Sequence, residues 1–65
     1  MQIQLNGEPV VTEAETLEAF LIHHGYGTRT VATALNGDFV PQGLRAGQPL
    51  KDGDRIEIVA PMQGG

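Results

Sequence analysis

The unbroken polar–apolar alternation at the start of the chain, closed by Asn6-Gly7, is the feature that most constrains the fold. Residues 1–6 alternate at every position, which indicates a strand with one buried face. Asn-Gly is the strongest two-residue hairpin signal, because both positions tolerate a positive φ. The opening of the chain therefore predicts a β-hairpin whose return strand spans residues 8–12.

The register and the position of this hairpin also follow from the sequence. A two-residue loop places Ile3 opposite Val10 and Leu5 opposite Glu8. Pro9 has no N–H to donate, so we expect the return strand to lie at an edge of the sheet.

A short helix follows the hairpin. Thr16 suits the N-cap, Glu18 is favoured in the first turn by the helix dipole, and Gly25 suits the position just after the helix. One helical stripe is formed by Leu17, Phe20, Leu21 and His24. An earlier start remains open, because Thr12 and Glu15 also match a capping box.

The second half of the chain contains three further strand candidates. They are residues 31–35, 38–41 and 55–59, with Asn36-Gly37 between the first two and a turn at 51–54 before the last. The alternation around Asn36 is too irregular to predict a register. Residues 42–49 hold two Gly and one Pro and are interpreted as a loop.

This order of elements predicts an α+β protein, because one helix covers only one face of a sheet. A helix laid across a hairpin-based mixed sheet of four to five strands is the β-grasp arrangement. We expect one domain over residues 1–60 and a flexible tail over 61–65. The predicted core consists of Ile3, Leu5, Val10, Leu17, Phe20, Leu21, Leu35, Ile56 and Ile58.

Composition excludes several classes of function. The absence of cysteine rules out disulfides and Cys-zinc sites, so the fold depends on its apolar core. The four basic residues are scattered and the net charge is −4, which argues against nucleic-acid binding. No apolar stretch is long enough for a membrane span, and the alternating start is unlike a signal peptide. We expect a cytoplasmic protein.

Side-chain catalysis has little support in this sequence, which lacks both Cys and Ser. Neighbours on a helix do not face one direction, so His23 and His24 are interpreted as favourable charges at a helix end rather than as metal ligands. Glu13, Glu15 and Glu18 are interpreted as a solvated helix start. We therefore predict no catalytic side chain, no bound metal and no bound cofactor.

The terminal Gly64-Gly65 pair is the strongest chemical signal. A C-terminal carboxylate becomes an acyl donor once it is activated as an acyl-adenylate, and the activating enzyme must thread the tail through a narrow channel. Glycine suits this task because it has no Cβ and accepts most backbone conformations. A short remnant of an expression vector is the alternative explanation.

Four segments together resemble the thiamine-pathway sulfur carriers, the ThiS family of the ubiquitin-like β-grasp superfamily. They are residues 3–9, 35–41, 51–59 and 62–65. The chain departs from the family over residues 42–49, where many members carry an aromatic residue and a longer helical turn.

The resemblance implies that an ATP-dependent adenylyltransferase, similar to ubiquitin-activating enzymes, adenylates Gly65. A cysteine-derived persulfide, supplied by a desulfurase or sulfurtransferase, then leaves a thiocarboxylate that thiazole synthase uses. Gly64, Gln63 and Met62 would thread the partner's active site. The chain would be a protein co-substrate rather than an enzyme, with ATP used by its partner.

The sequence leaves rival functions open. The molybdopterin synthase small subunit and tRNA-thiolation carriers share the Gly-Gly tail, as do protein modifiers that form isopeptide bonds. A self-contained enzyme or binding module with an incidental Gly-Gly is the remaining alternative. For a carrier, we expect a hydrophobic partner surface on the sheet face away from the helix, with Phe39, Val59 and Met62 as candidate contacts.

Overall fold

Five strands and one α-helix form the domain, as the α+β prediction requires. The computed structural model describes residues 1–27 and 29–60. Its elements are β1 (Gln2–Leu5), β2 (Glu8–Val11), α1 (Leu17–His23), β3 (Ala32–Leu35), β4 (Asp38–Val40), a 3-10 helix (Gln42–Gly47) and β5 (Arg55–Val59).

The sheet is mixed, and its strand order is β2-β1-β5-β3-β4. β1 and β5 pair in parallel, whereas the other three neighbouring pairs are antiparallel. The last strand of the chain therefore lies in the middle of the sheet, between the two hairpins. With α1 across one face, this is the predicted β-grasp arrangement.

The first hairpin has the predicted register. Ile3 pairs with Val10 and Leu5 pairs with Glu8, and β2 lies at the sheet edge as expected. Asn6 has a φ of 50° and Gly7 a φ of 87°, which are the positive values that a tight Asn-Gly turn needs. The second Asn-Gly turn repeats this geometry between β3 and β4.

The helix begins after Thr16, as predicted. The Thr16 side chain accepts a hydrogen bond from the Ala19 N–H at 3.1 Å, and Gly25 follows the helix with a φ of 85°. The alternative start at Thr12 is wrong. The Thr12 hydroxyl oxygen is buried and accepts from the Ala14 N–H at 3.0 Å, so it caps a local turn before the helix.

The interpretation of residues 42–49 as a plain loop is wrong, because Gln42–Gly47 forms a 3-10 helix. Arg45 anchors this helix and is only 8% exposed. Its Nε donates to the Thr33 hydroxyl at 3.0 Å, and a terminal guanidinium nitrogen donates to the Val31 carbonyl at 2.6 Å. The contacts of Arg45 thus stabilise a helix in a glycine-containing segment that has little helix preference of its own.

All nine predicted core residues lie in or against one cluster between α1 and the sheet. Seven of them are buried, and Leu5 and Val10 are half-buried and pack against the others. The cluster also includes four residues outside the prediction, namely Ala14, Val31, Val40 and Leu50. Among the described residues, no helix is long and apolar enough to cross a membrane.

Candidate functional site

The sheet face opposite α1 is open, and strand β5 defines it. Along β5, Ile56 and Ile58 point into the core, whereas Arg55, Glu57 and Val59 are exposed. Because side chains alternate across a strand, these three exposed residues share the open face. The pairing of β5 with its neighbours therefore determines which residues of those strands also lie on this face.

Four apolar residues from three strands form one area on the open face, which we call the open-face patch: Ala32, Ala34, Phe39 and Val59. Ala34 pairs with Phe39, and Ala32 pairs with Val59. Phe39 is 69% exposed and Val59 is 64% exposed, so both remain available for contact. The structure thus places the two sequence-predicted surface residues on one face, with the alanines of β3 between them.

Sequence reasoning missed the two alanines. Their signal is the alternation along β3, where Thr33 and Leu35 are buried and Ala32 is exposed. Small side chains at the centre of the open-face patch leave a shallow surface between the larger Phe39 and Val59. Such a surface suits the packing of a protruding apolar side chain from a partner.

One acidic residue lies on the open face beside the patch. Glu57 pairs with Ala34 on the side opposite Phe39, and Arg55 is exposed on the same face of β5. Asp38 pairs with the buried Leu35, so its side chain leaves β4 on the other face. A partner with an apolar contact and a basic group opposite Glu57 would match the patch in shape and charge.

Strand β5, which contributes Val59 to the patch, also leads to the C-terminal residues. β5 ends at Val59, and we call residues 58–60 the arm root. The predicted reactive Gly65 and its neighbours Met62, Gln63 and Gly64 lie outside the described residues. What the structure describes is the strand from which the arm leaves.

The arm root is held on one side by β3, where Thr33 pairs with Ile58 and Ala32 pairs with Val59. On the other side it is held by a side chain from the first hairpin. The Ile58 N–H donates to Asn6 Oδ1 at 2.9 Å, and Asn6 Nδ2 donates to the Ile58 carbonyl at 3.2 Å. The Asn6 backbone N–H also donates to the Ile56 carbonyl at 2.9 Å. One residue thus extends the β1–β5 pairing toward the arm, and sequence reasoning found only its role in the turn.

The two histidines lie at the end of α1. The His24 ring lies against the Phe20 ring with centroids 4.2 Å apart, and His23 lies in the last helical turn. Within residues 1–27 and 29–60, no group of three His, Cys, Asp or Glu side chains is placed to hold a metal ion.

The fold defines a ubiquitin-like β-grasp protein with an open sheet face on the side away from α1. The model of the ThiS family matches residues 2–65, which is nearly the whole chain and includes the Gly-Gly end. The chain therefore belongs to the ThiS family, and the resemblance seen in the sequence is confirmed.

Two relatives match along their whole length. The chain is 44% identical over 64 residues to the sulfur carrier protein ThiS of Thermus thermophilus, covering 97% of this chain and 98% of that protein. The crystal structure of the thiamine biosynthesis protein ThiS from Geobacter metallireducens superimposes with a TM-score of 0.82. The two chains share 29% identity, and the match covers 100% of each.

A different kind of relative is much longer. The chain is 39% identical over 66 residues to the thiazole synthase of Paramagnetospirillum magneticum, and the thiazole synthase of Magnetococcus marinus matches equally well. The match covers 100% of this chain but 20% of each of those proteins. A carrier-like region is thus part of the same polypeptide as a thiazole synthase in two organisms.

Proposed function

We propose that this protein is a sulfur carrier for thiazole formation in thiamine biosynthesis, with the Gly65 carboxylate as its working group. The observation that carries the proposal is the family match across residues 2–65, which includes Gly64-Gly65. The Thermus relative, named a sulfur carrier protein, supports it at 44% identity. The carrier is consumed and regenerated as a co-substrate and performs no catalysis itself.

The chemistry proceeds in two stages. A Gly65 carboxylate oxygen attacks the α-phosphorus of ATP in the adenylyltransferase, forming the acyl-adenylate and releasing pyrophosphate. The terminal sulfur of a cysteine persulfide then attacks the acyl carbon and displaces AMP. A second thiol cleaves the sulfur–sulfur bond, which leaves the thiocarboxylate on Gly65 and a disulfide on the donor side.

A separate argument supports each proposed partner. The adenylyltransferase docks on the open-face patch, which includes Val59 at the end of the strand leading to the arm. Thiazole synthase is supported as the sulfur acceptor by the two synthases that contain a carrier-like region. The persulfide comes from a cysteine desulfurase or sulfurtransferase, and the ATP supply places the reaction in the cytoplasm.

The direct test is mass spectrometry of the intact protein. The protein is incubated with the adenylyltransferase, ATP and a persulfide donor, and we expect one oxygen to be replaced by sulfur at Gly65. Deletion of Gly65, or addition of one residue after it, should abolish the change. An added residue moves the reactive carboxylate by about 3.5 Å along an extended chain.

Circular dichroism provides the control, because both tail variants should keep the spectrum of the unaltered protein. Sulfur incorporation into the Gly65 deletion would overturn the carrier proposal. Isopeptide-linked conjugates to lysine, without a thiocarboxylate, would instead identify a protein modifier. A thiocarboxylate that thiazole synthase cannot use, but molybdopterin synthase can, would assign the other carrier pathway.

A further inference from the structure

Asn6 makes a pair of hydrogen bonds that the turn itself does not need. A tight Asn-Gly turn requires only the positive φ of Asn6, and any side chain that tolerates this conformation would suffice. The side-chain amide instead reaches across to β5, where it binds both the N–H and the carbonyl of Ile58. The two residues are 52 positions apart in the chain.

The two side-chain hydrogen bonds of Asn6 take the place of backbone pairing that β1 does not offer to Ile58. The parallel pairing of β1 with β5 reaches Leu5 and Ile56 and then stops, because the chain turns at Asn6. The Asn6 amide presents one acceptor and one donor, as a backbone peptide group would. It therefore satisfies both polar groups of Ile58, and a carboxylate or an aliphatic side chain of the same size would not.

The second Asn-Gly turn provides an internal comparison. Asn36 has nearly the same φ and also binds β5, but at the opposite end. Asn36 Oδ1 accepts from the Arg55 N–H at 2.9 Å, and its Nδ2 donates to Asp54 Oδ1 at 3.0 Å. The two asparagines thus hold the two ends of one strand, and only Asn6 contacts the arm root.

We propose that Asn6 is a positioning residue for the carrier reaction, which holds the arm root on the side of β5 that β3 does not cover. This inference rests on the function proposed above. Gly65 lies seven residues beyond Ile58, so the arm and the patch must engage the adenylyltransferase together. Binding costs free energy when it orders a segment that was free to move. Because the arm root is already fixed, only the residues after it would add to this cost.

The test compares Asn6→Gly with Asn36→Gly. Glycine accepts the positive φ at both turns, so each variant removes two hydrogen bonds without adding backbone strain or charge. Both variants are assayed by ATP–pyrophosphate exchange with the adenylyltransferase, at a temperature where circular dichroism shows each to be folded. Amide hydrogen exchange of residues 58–60 is measured on the same samples without the partner.

We expect Asn6→Gly to raise the KM for the carrier about fivefold or more with little change in kcat, because docking and not chemistry is weakened. Asn36→Gly should keep its KM within about twofold. Hydrogen exchange at the arm root should accelerate about tenfold or more in Asn6→Gly alone, since local opening there becomes easier.

The Asn6→Asp variant tests whether the arm root is positioned by the hydrogen bonds of the Asn6 amide and not by the mere presence of a side chain at this position. It keeps the acceptor for the Ile58 N–H but sets a carboxylate oxygen against the Ile58 carbonyl, so its KM should rise as well. Equal KM values for the two glycine variants, or equal exchange at residues 58–60, would overturn the inference. If the unaltered protein is not adenylated, the proposed function fails, and the exchange comparison still decides whether Asn6 holds the arm root.

Discussion

Phe20 is the side chain on which the core depends most directly. It is fully buried on α1 and is among the largest buried side chains of the described chain. We predict that Phe20→Ala lowers the free energy of unfolding by about 3–5 kcal/mol, because it leaves a cavity that the sheet cannot close. Small domains have total stabilities near the low end of about 5–15 kcal/mol, so this variant should be largely unfolded at moderate temperature.

Thermal and urea unfolding followed by circular dichroism measure this effect. Phe39→Ala is the matched control, since Phe39 is exposed and its loss should change stability by no more than about 0.5 kcal/mol. A Phe20→Ala protein with an unchanged melting temperature would show that the helix stripe does not face the core.

Arg45 is a buried cation with a purely structural environment. Its two hydrogen bonds, to the Thr33 hydroxyl and the Val31 carbonyl, connect the 3-10 helix to β3 and to the residue that precedes β3. We predict that Arg45→Lys lowers the free energy of unfolding by about 1–3 kcal/mol, because a single ammonium cannot reproduce the fork of donors. Arg55→Lys, at an exposed site, should be nearly neutral, and equal effects in urea unfolding would contradict this role.

At the scale of elements, the N-terminal end of α1 depends on Thr16. The helix has seven residues, too short to be stable by propensity, and its cap satisfies the Ala19 N–H. Thr16→Ala should cost about 1 kcal/mol of stability in thermal unfolding, whereas Thr16→Ser should retain most of it. A serine variant as unstable as the alanine variant would show that the methyl packing matters more than the cap.

The open-face patch makes a prediction about partner binding. Val59→Asp should leave the fold intact, because Val59 is exposed, yet weaken docking to the adenylyltransferase by about tenfold or more in ATP–pyrophosphate exchange. Val11→Asp is the control, since Val11 is even more exposed than Val59 but lies on the distant edge strand β2. Loss of docking in both variants would indicate a general charge effect and not a patch.

How much the sequence reveals differs between elements. The first hairpin was predicted with its register, and α1 with its Thr16 cap, because alternation, the Asn-Gly turn and a capping residue are local signals. The 3-10 helix was missed, since Arg45 finds its partners on β3 and not within its own segment. The Asn6 contact with Ile58 was also missed, because a parallel pairing between distant strands leaves no local pattern.

At the scale of the whole molecule, β5 holds the two halves of the sheet together. It pairs with β1 in parallel and with β3 in antiparallel fashion, and in the sheet of the described residues it lies between the two hairpins. We predict that a chain ending at Asp54 is unfolded, because Ile56 and Ile58 leave the core and both hairpins lose a neighbour. A native-like circular dichroism spectrum from this truncated chain would contradict the prediction.

The central position of β5 has a consequence for protein synthesis. A ribosome makes residues 1–54 before β5 exists, and during that time the two hairpins have no common strand to join. Because β5 completes the sheet by pairing with strands that are distant in the sequence, folding is a late event that depends on this strand. The open-face patch is also built partly from β5, through Val59. A partner that contacts Val59 in this patch would therefore require β5 to have joined the sheet, which couples docking to folding.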